Sequence, residues 1–183
     1  MGPNRDHGAN RPPHSTLVLG GARSGKSAYA EALLADIAGP RIYVATAEAG
    51  DAEMAERIAH HQTRRGAAWR TVEAPLDLAT ALDAHASAEG ALLVDCLTLW
   101  LNNLMAADRD IEAESAALER AVVGSPGRIV LVSNEVGLGI VPDNPLARRF
   151  RDCAGRLNKR MATAADEVVF IAAGLPLTLK ASA

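Results

Sequence analysis

The chain has 183 residues, 49% of them apolar, with 19 Lys and Arg against 22 Asp and Glu for a net charge of −3. That suits one globular domain with a sizeable core. It excludes a general basic field for nucleic acid, and two Trp, two Tyr and two Phe leave no stacking platform for bases. Cys96 and Cys153 form neither a disulfide framework nor a metal pattern, so a reduced, cytoplasmic setting is expected. No apolar run is long enough for stable membrane insertion.

Residues 1–14 are polar and rich in Gly, Pro and Asn, and are expected to form a disordered extension. Neither His7 nor His14 is given a function. The domain then runs from 15 to 183. A short strand at 16–19 is followed by a helix over 26–38, which Gly39-Pro40 stops. A strand over 41–45 leads to a helix over 51–65, with Asp51 as its N-cap. A strand at 69–73, a helix at 76–88 and a fully apolar strand at 91–94 come next, the last ending in Asp95. Helices over 97–107 and 110–123 precede a strand at 128–133 and a Gly-containing structured loop at 134–143. One long helix spans 144–165, with Leu146, Phe150, Ala154, Leu157 and Met161 on one face at steps of three and four. A strand at 168–172 and an edge strand at 177–180 close the chain. Continuously apolar strands alternating with helices indicate a mostly parallel sheet covered on both faces, a three-layer α/β arrangement.

The strongest local signal is Gly20-Gly21-Ala22-Arg23-Ser24-Gly25-Lys26-Ser27, a full G-x-x-x-x-G-K-[ST] phosphate loop between a strand and a helix. Glycines let backbone N–H groups turn inward around phosphate, and the following helix adds its positive end. Lys26 is expected to neutralise β/γ-phosphate charge, and Ser27 to ligate Mg²⁺. The partner carboxylate should end an apolar strand, and Asp95 does so. Asp166 and Glu167 precede a strand and belong to the opposite edge of the sheet. The expected fold is therefore a three-layer P-loop NTPase (RecA-like) domain.

A phosphate loop fixes the ligand class and not the reaction. The guanine-reading N-K-x-D tetrapeptide of switch GTPases is absent, since Asn158-Lys159-Arg160-Met161 lacks its Asp. A small-molecule kinase is the default reading, with a regulatory NTP-binding module as an alternative of another class. His60-His61 fits neither simply. An imidazole can attack phosphorus, yet a His pair on an Ala/Arg-rich helix taken alone reads as a solvated face. The basic residues Arg148, Arg149, Arg151, Arg156, Lys159 and Arg160 are open between holding phosphate and facing solvent or another subunit.

Four segments carry a resemblance to a known family: GGARSGKSAYAEAL (20–33), YVATAEAGDAEMAERIAHHQTRRGAAWRTVE (43–73), LLVDCLTLWLNNL (92–104) and SNEVGLGIVPDNPLARRFRDCAGRLNKRMATAADEVVF (133–170). In these the chain resembles the adenosylcobinamide kinase/adenosylcobinamide-phosphate guanylyltransferase family of cobalamin biosynthesis. The resemblance implies two reactions at one site. ATP or GTP phosphorylates the aminopropanol hydroxyl of adenosylcobinamide, and GTP then donates GMP to that phosphate, giving adenosylcobinamide-GDP and pyrophosphate. It implies that His60 carries GMP covalently, which overrides the solvated-face reading. It implies further nucleotide contacts from Ala45, Thr46 and Ala47, from His61, Gln62, Thr63 and Arg64, and from Glu73, with Asp95 metal-linked. It also implies a homo-oligomer, a trimer.

Overall fold

The structure is a computed structural model that describes residues 14–47 and 68–181. The helix expected at 51–65 and most of the proposed extension lie outside the described residues. The strands are β1 (Ser15–Gly20), β2 (Arg41–Ala45), β3 (Trp69–Glu73), β4 (Ala91–Asp95), β5 (Arg128–Asn134), β6 (Glu167–Ala172) and β7 (Leu175–Lys180). The described helices are α1 (Lys26–Ala32), α2 (Leu78–His85), α3 (Leu97–Ala106), α4 (Ile111–Gly124) and α5 (Pro145–Ala164).

The strands form one seven-stranded sheet in the order β3-β2-β4-β5-β1-β6-β7. Every neighbouring pair is parallel except β6 and β7. Their alternation splits the core in two. Val18, Leu93, Val130, Val132 and Val169 face α1 and the turns after it through Ala30 and Leu34. Leu17, Leu19, Val44, Leu92, Val94, Ile129 and Leu131 face α2 to α5. Both sheet faces are thus covered, which is why these strands read as unbroken apolar runs. Trp100 is completely buried in the larger core, and its indole N–H is satisfied by the Leu76 carbonyl at 2.7 Å.

Capping chemistry sets the helix starts. Asp110 accepts from the Glu112 and Ala113 amides ahead of α4. Asn144 accepts from the Ala147 amide, and Pro145 opens α5. Four elements differ from the expectation by two residues or more or in the face that they bury, and the first is α2, which spans Leu78–His85 rather than 76–88. The α1 helix ends at Ala32 rather than near residue 38, because Leu34, Ala35 and Ile37 donate to carbonyls three residues back and tighten the chain into turns. The last strand starts at Leu175, two residues early, because its pairing with β6 begins at Ala172–Leu175. Leu146 does not join the buried face of α5, and the helix buries Cys153, Ala154, Leu157, Asn158 and Met161 instead. Leu146 lies on the first turn of α5, ahead of the residues that pack into the core.

Gly39 marks a close backbone crossing. A Cβ there would lie 1.8 Å from the Glu89 carbonyl oxygen and 2.6 Å from its carbon. Gly39→Ala should therefore destabilise the protein by about 3 kcal/mol, read as a lowered denaturation midpoint with an unchanged m-value.

The start of β1 is stitched to the start of β6. The Asp166 carboxylate accepts from the Ser15 amide at 2.8 Å and from its hydroxyl at 3.0 Å. Partial burial pulls this carboxyl upward, but the two Ser15 hydrogen bonds, together with the charge and backbone amide of His14, outweigh that and hold it below its ordinary value of 3.8. A depressed carboxyl adds stability that is fully present above its unfolded pKa and is lost as pH falls through the folded value. Asp166→Asn should flatten the acid limb of a melting-temperature profile below about pH 4, with little change in slope near neutrality.

Candidate nucleotide site

The carboxyl ends of the parallel strands form one edge of the sheet, where open α/β sheets bind ligands. The register carries Glu73, Ala45 and Asp95 along that edge on β3, β2 and β4, level with Val132 of β5, and two residues further on β1 and β5 pair Gly20 with Asn134. Asp95 thus sits two strands from β1, roughly 10 Å in the hydrogen-bonding direction, and Glu73 four strands away, roughly 19 Å.

The phosphate loop leaves β1 through Gly20. A Cβ on Gly20 would lie 2.5 Å from the Ile171 carbonyl oxygen and 2.8 Å from the Ser24 hydroxyl. Gly25 has φ +100°, which disfavours any side chain. The Gly174 amide ties the β6–β7 turn to the Ser24 carbonyl at 3.1 Å. Ser24 Oγ is buried with no protein partner, and no side chain caps the start of α1. Such a loop is a cradle for an anion that supplies acceptors from outside.

Lys26 is buried at the start of α1, and its Nζ donates to the Gly21 carbonyl at 2.5 Å. Burial lowers its pKa, while Cys96 and the Asp95 carboxylate pull it back up. Lys26 and Asp95 are therefore electrostatic neighbours. Cys96 is pushed up to about 11, first by burial and then by Asp95, so it is a neutral thiol and no nucleophile near neutral pH. The peptide joining Asp95 to Cys96 is cis.

Thr46 serves the scaffold. Its hydroxyl donates to the Cys96 carbonyl at 2.7 Å and accepts from the Cys96 amide at 2.8 Å. Its own carbonyl accepts from Asn103 Nδ2 at 2.8 Å, and that amide group also donates to the Pro75 carbonyl at 3.1 Å. With its amide on the Asp95 carbonyl as well, Thr46 has every polar atom engaged inside the protein. A nucleotide in contact with Ala45-Thr46-Ala47 then meets Ala45 and Ala47 most directly. Glu73 is exposed at the end of β3.

A second group, which the sequence did not single out, fixes the end of β5. Ser133 donates to Asn158 Oδ1 at 2.7 Å, and Asn158 Nδ2 donates to the Asn134 carbonyl at 3.1 Å. Thr98 Oγ1 accepts from the Asn134 amide at 2.7 Å and lies 3.3 Å from Ser133 Oγ. Because Ser133 has given its proton to Asn158, Thr98 is the donor in that last pair. This closed network joins α3, β5 and α5, and the next residue, Glu135, donates its amide to the Gly20 carbonyl at 3.1 Å. Much of the basic face of α5 is structural. Arg148 holds the Pro142 and Asp143 carbonyls, Arg151 pairs with Asp152, and Arg160 pairs with Glu112 and Glu119. His60, His61, Gln62, Thr63 and Arg64 lie outside the described residues.

A sequence profile of the family described as cobinamide kinase/cobinamide phosphate guanyltransferase matches residues 16–179, nearly the whole chain. The chain belongs to that family. It is a bifunctional kinase and guanylyltransferase of adenosylcobalamin biosynthesis. The chain is 52% identical over 166 residues to a Pseudomonas aeruginosa protein named "Bifunctional adenosylcobalamin biosynthesis protein CobP", covering 90% of this chain and 96% of that protein. It is 46% and 41% identical, each over 179 residues, to the proteins of Salmonella typhimurium and Escherichia coli named "Bifunctional adenosylcobalamin biosynthesis protein CobU", covering 90% of this chain and 98% of each. The fold also resembles a solved ATPase from the type III secretion system of pathogenic bacteria, with a TM-score of 0.53 at 12% identity, over 90% of this chain and 56% of that one. This likeness bears on the fold alone. The seven-stranded, mostly parallel α/β sheet is the expected P-loop architecture. Among the described residues, no helix is long and apolar enough to cross a membrane.

Proposed function

We propose that the enzyme uses this one nucleotide site twice. In the first step the γ-phosphoryl group of ATP or GTP passes to the aminopropanol hydroxyl of adenosylcobinamide. In the second, GTP gives GMP to His60 with loss of pyrophosphate, and the adenosylcobinamide phosphate takes GMP from His60 to give adenosylcobinamide-GDP. The observation that carries this reading is a formed phosphate cradle, with its orphan Ser24 hydroxyl and buried Lys26, inside a chain of this family.

The residues take separate tasks. The loop from Gly20 to Ser27 holds the triphosphate, with Lys26 leaving the Gly21 carbonyl for a phosphate oxygen. Arg23 is exposed on the same loop and suits the departing pyrophosphate charge. Ser27 and Asp95 offer a hydroxyl and a carboxylate, the hard oxygen donors that Mg²⁺ accepts while keeping several waters. Mg²⁺ held there would neutralise phosphate charge. Glu73, four strands from β1, suits the nucleoside end of the nucleotide more than its phosphates. His61 to Arg64 follow the nucleophile and complete the nucleotide contacts. We also propose a homo-oligomer, a trimer. The outward Leu175, Leu177 and Leu179 of edge strand β7 support association between copies.

Intact mass tests the covalent step. Wild type and His60→Ala are incubated with Mg²⁺ and GTP without corrinoid, then quenched at neutral or alkaline pH because phosphoramidates are acid-labile. One GMP is expected on wild type and none on the variant. Folded, active wild type without that gain would leave a single-activity kinase as the better reading.

A further inference from the structure

The loop between β5 and α5 carries an apolar surface that neither the fold nor the nucleotide requires. Leu138 is 82% exposed, Ile140 97%, Val141 58%, and Leu146 at the start of α5 67%. Four such side chains within nine residues are unusual for a loop, which normally meets water with polar groups.

The loop is held in place at both ends. At its start the Glu135 amide is bonded to Gly20, and Glu135 Oε1 accepts from the Gly137 amide at 2.5 Å. At its end Arg148 Nη1 donates to the Pro142 and Asp143 carbonyls at 2.9 and 2.7 Å, and Asn144 caps α5. The Thr98–Ser133–Asn158 network fixes the strand from which it springs. Held in this way, Leu138, Ile140 and Val141 stay in water without a partner, which is unfavourable by roughly 25 cal/mol per Å² of apolar surface.

The position says what covers it. The loop starts at the residue bonded to Gly20, the first residue of the phosphate cradle. The acceptor in this family is a cobinamide, a corrin macrocycle whose rim carries methyl groups and amide arms. Its reacting hydroxyl sits at the end of one short arm. For that hydroxyl to reach a phosphate held at Gly20–Ser27, the ring must rest on the surface beside the cradle. We infer that Leu138, Ile140, Val141 and Leu146 form the bed on which the methyl-rich edge of the corrin ring lies. This rests on the cobinamide reading above and deepens it by assigning the acceptor subsite. The bed adds binding to ground state and transition state alike, so it acts on KM and leaves kcat nearly untouched.

The test is a Leu138→Ser/Ile140→Ser double variant, with Val123→Ser as control. Val123 is 64% exposed on α4 just ahead of β5, at the opposite edge of the sheet. Four quantities are measured: kinase KM and kcat for cobinamide, GTP-dependent mass gain without corrinoid, and native mass by light scattering. The expected result is a KM for cobinamide raised about tenfold or more, with kcat, the GMP gain and native mass unchanged, and no effect in the control. An unchanged KM overturns the inference while the cobinamide reading stands. A drop in native mass with an unchanged KM makes the loop an interface between copies. Wild type that takes up GMP yet does not phosphorylate cobinamide removes the reading on which the inference rests.

Discussion

Lys26→Met should silence both transfers without harming the fold. Kinase turnover and GMP uptake are each expected to fall by about a thousandfold, since in the proposed scheme both reactions develop charge on phosphate oxygens held by the same ammonium group. Stability should move the other way, if at all. Lys26 is buried, and burial lowers its pKa, so below the folded pKa the charged form costs the folded state free energy that it does not cost the unfolded chain. Methionine fills a similar volume without a charge. Steady-state kinetics together with a thermal melt separate the cases. Lost activity with an equal or higher melting temperature assigns Lys26 to phosphate binding, and a fall in both would make it a structural residue.

His60→Ala should divide the two reactions. GMP transfer is expected to fall by at least about a thousandfold, because the proposed covalent route would lose its nucleophile. His60 takes no part in the proposed kinase step, so the kcat of that step should stay within about twofold of wild type. The variant should therefore accumulate adenosylcobinamide phosphate from ATP or GTP and release no pyrophosphate, which chromatography of the corrinoids and a pyrophosphate assay both read. Equal loss of both activities would show His60 to be needed for nucleotide binding rather than for covalent transfer.

Much of this was legible in the chain. The phosphate loop announces itself by local spacing, and Asp95 by closing the run Ala91–Val94, since a strand buried on both faces must be apolar throughout. Elements whose fate depends on distant partners were less legible. Leu146 keeps perfect step with the buried face of α5, yet periodicity cannot say where a helix passes beyond the sheet that it covers. The shortness of α1 comes from turn-like hydrogen bonds at Leu34, Ala35 and Ile37, to which an Ala/Leu-rich sequence gives no clue. Thr98, Ser133 and Asn158 are separated by 35 and 25 positions in the chain, and nothing local marks them as one network. A buried Asn on an otherwise apolar helix face was the one available hint, because such a group must find partners.

Asn102 and Asn103 stand side by side in α3 and look interchangeable, but only the second is committed. Asn102 is exposed, whereas Asn103 spends both hydrogens of one amide group on carbonyls just beyond β2 and β3. Aspartate has the shape but nothing to donate, glutamine has the hydrogens but one carbon too many, and alanine leaves two carbonyls bare. In a saturation library, position 102 should accept most polar residues, while position 103 should return asparagine almost alone.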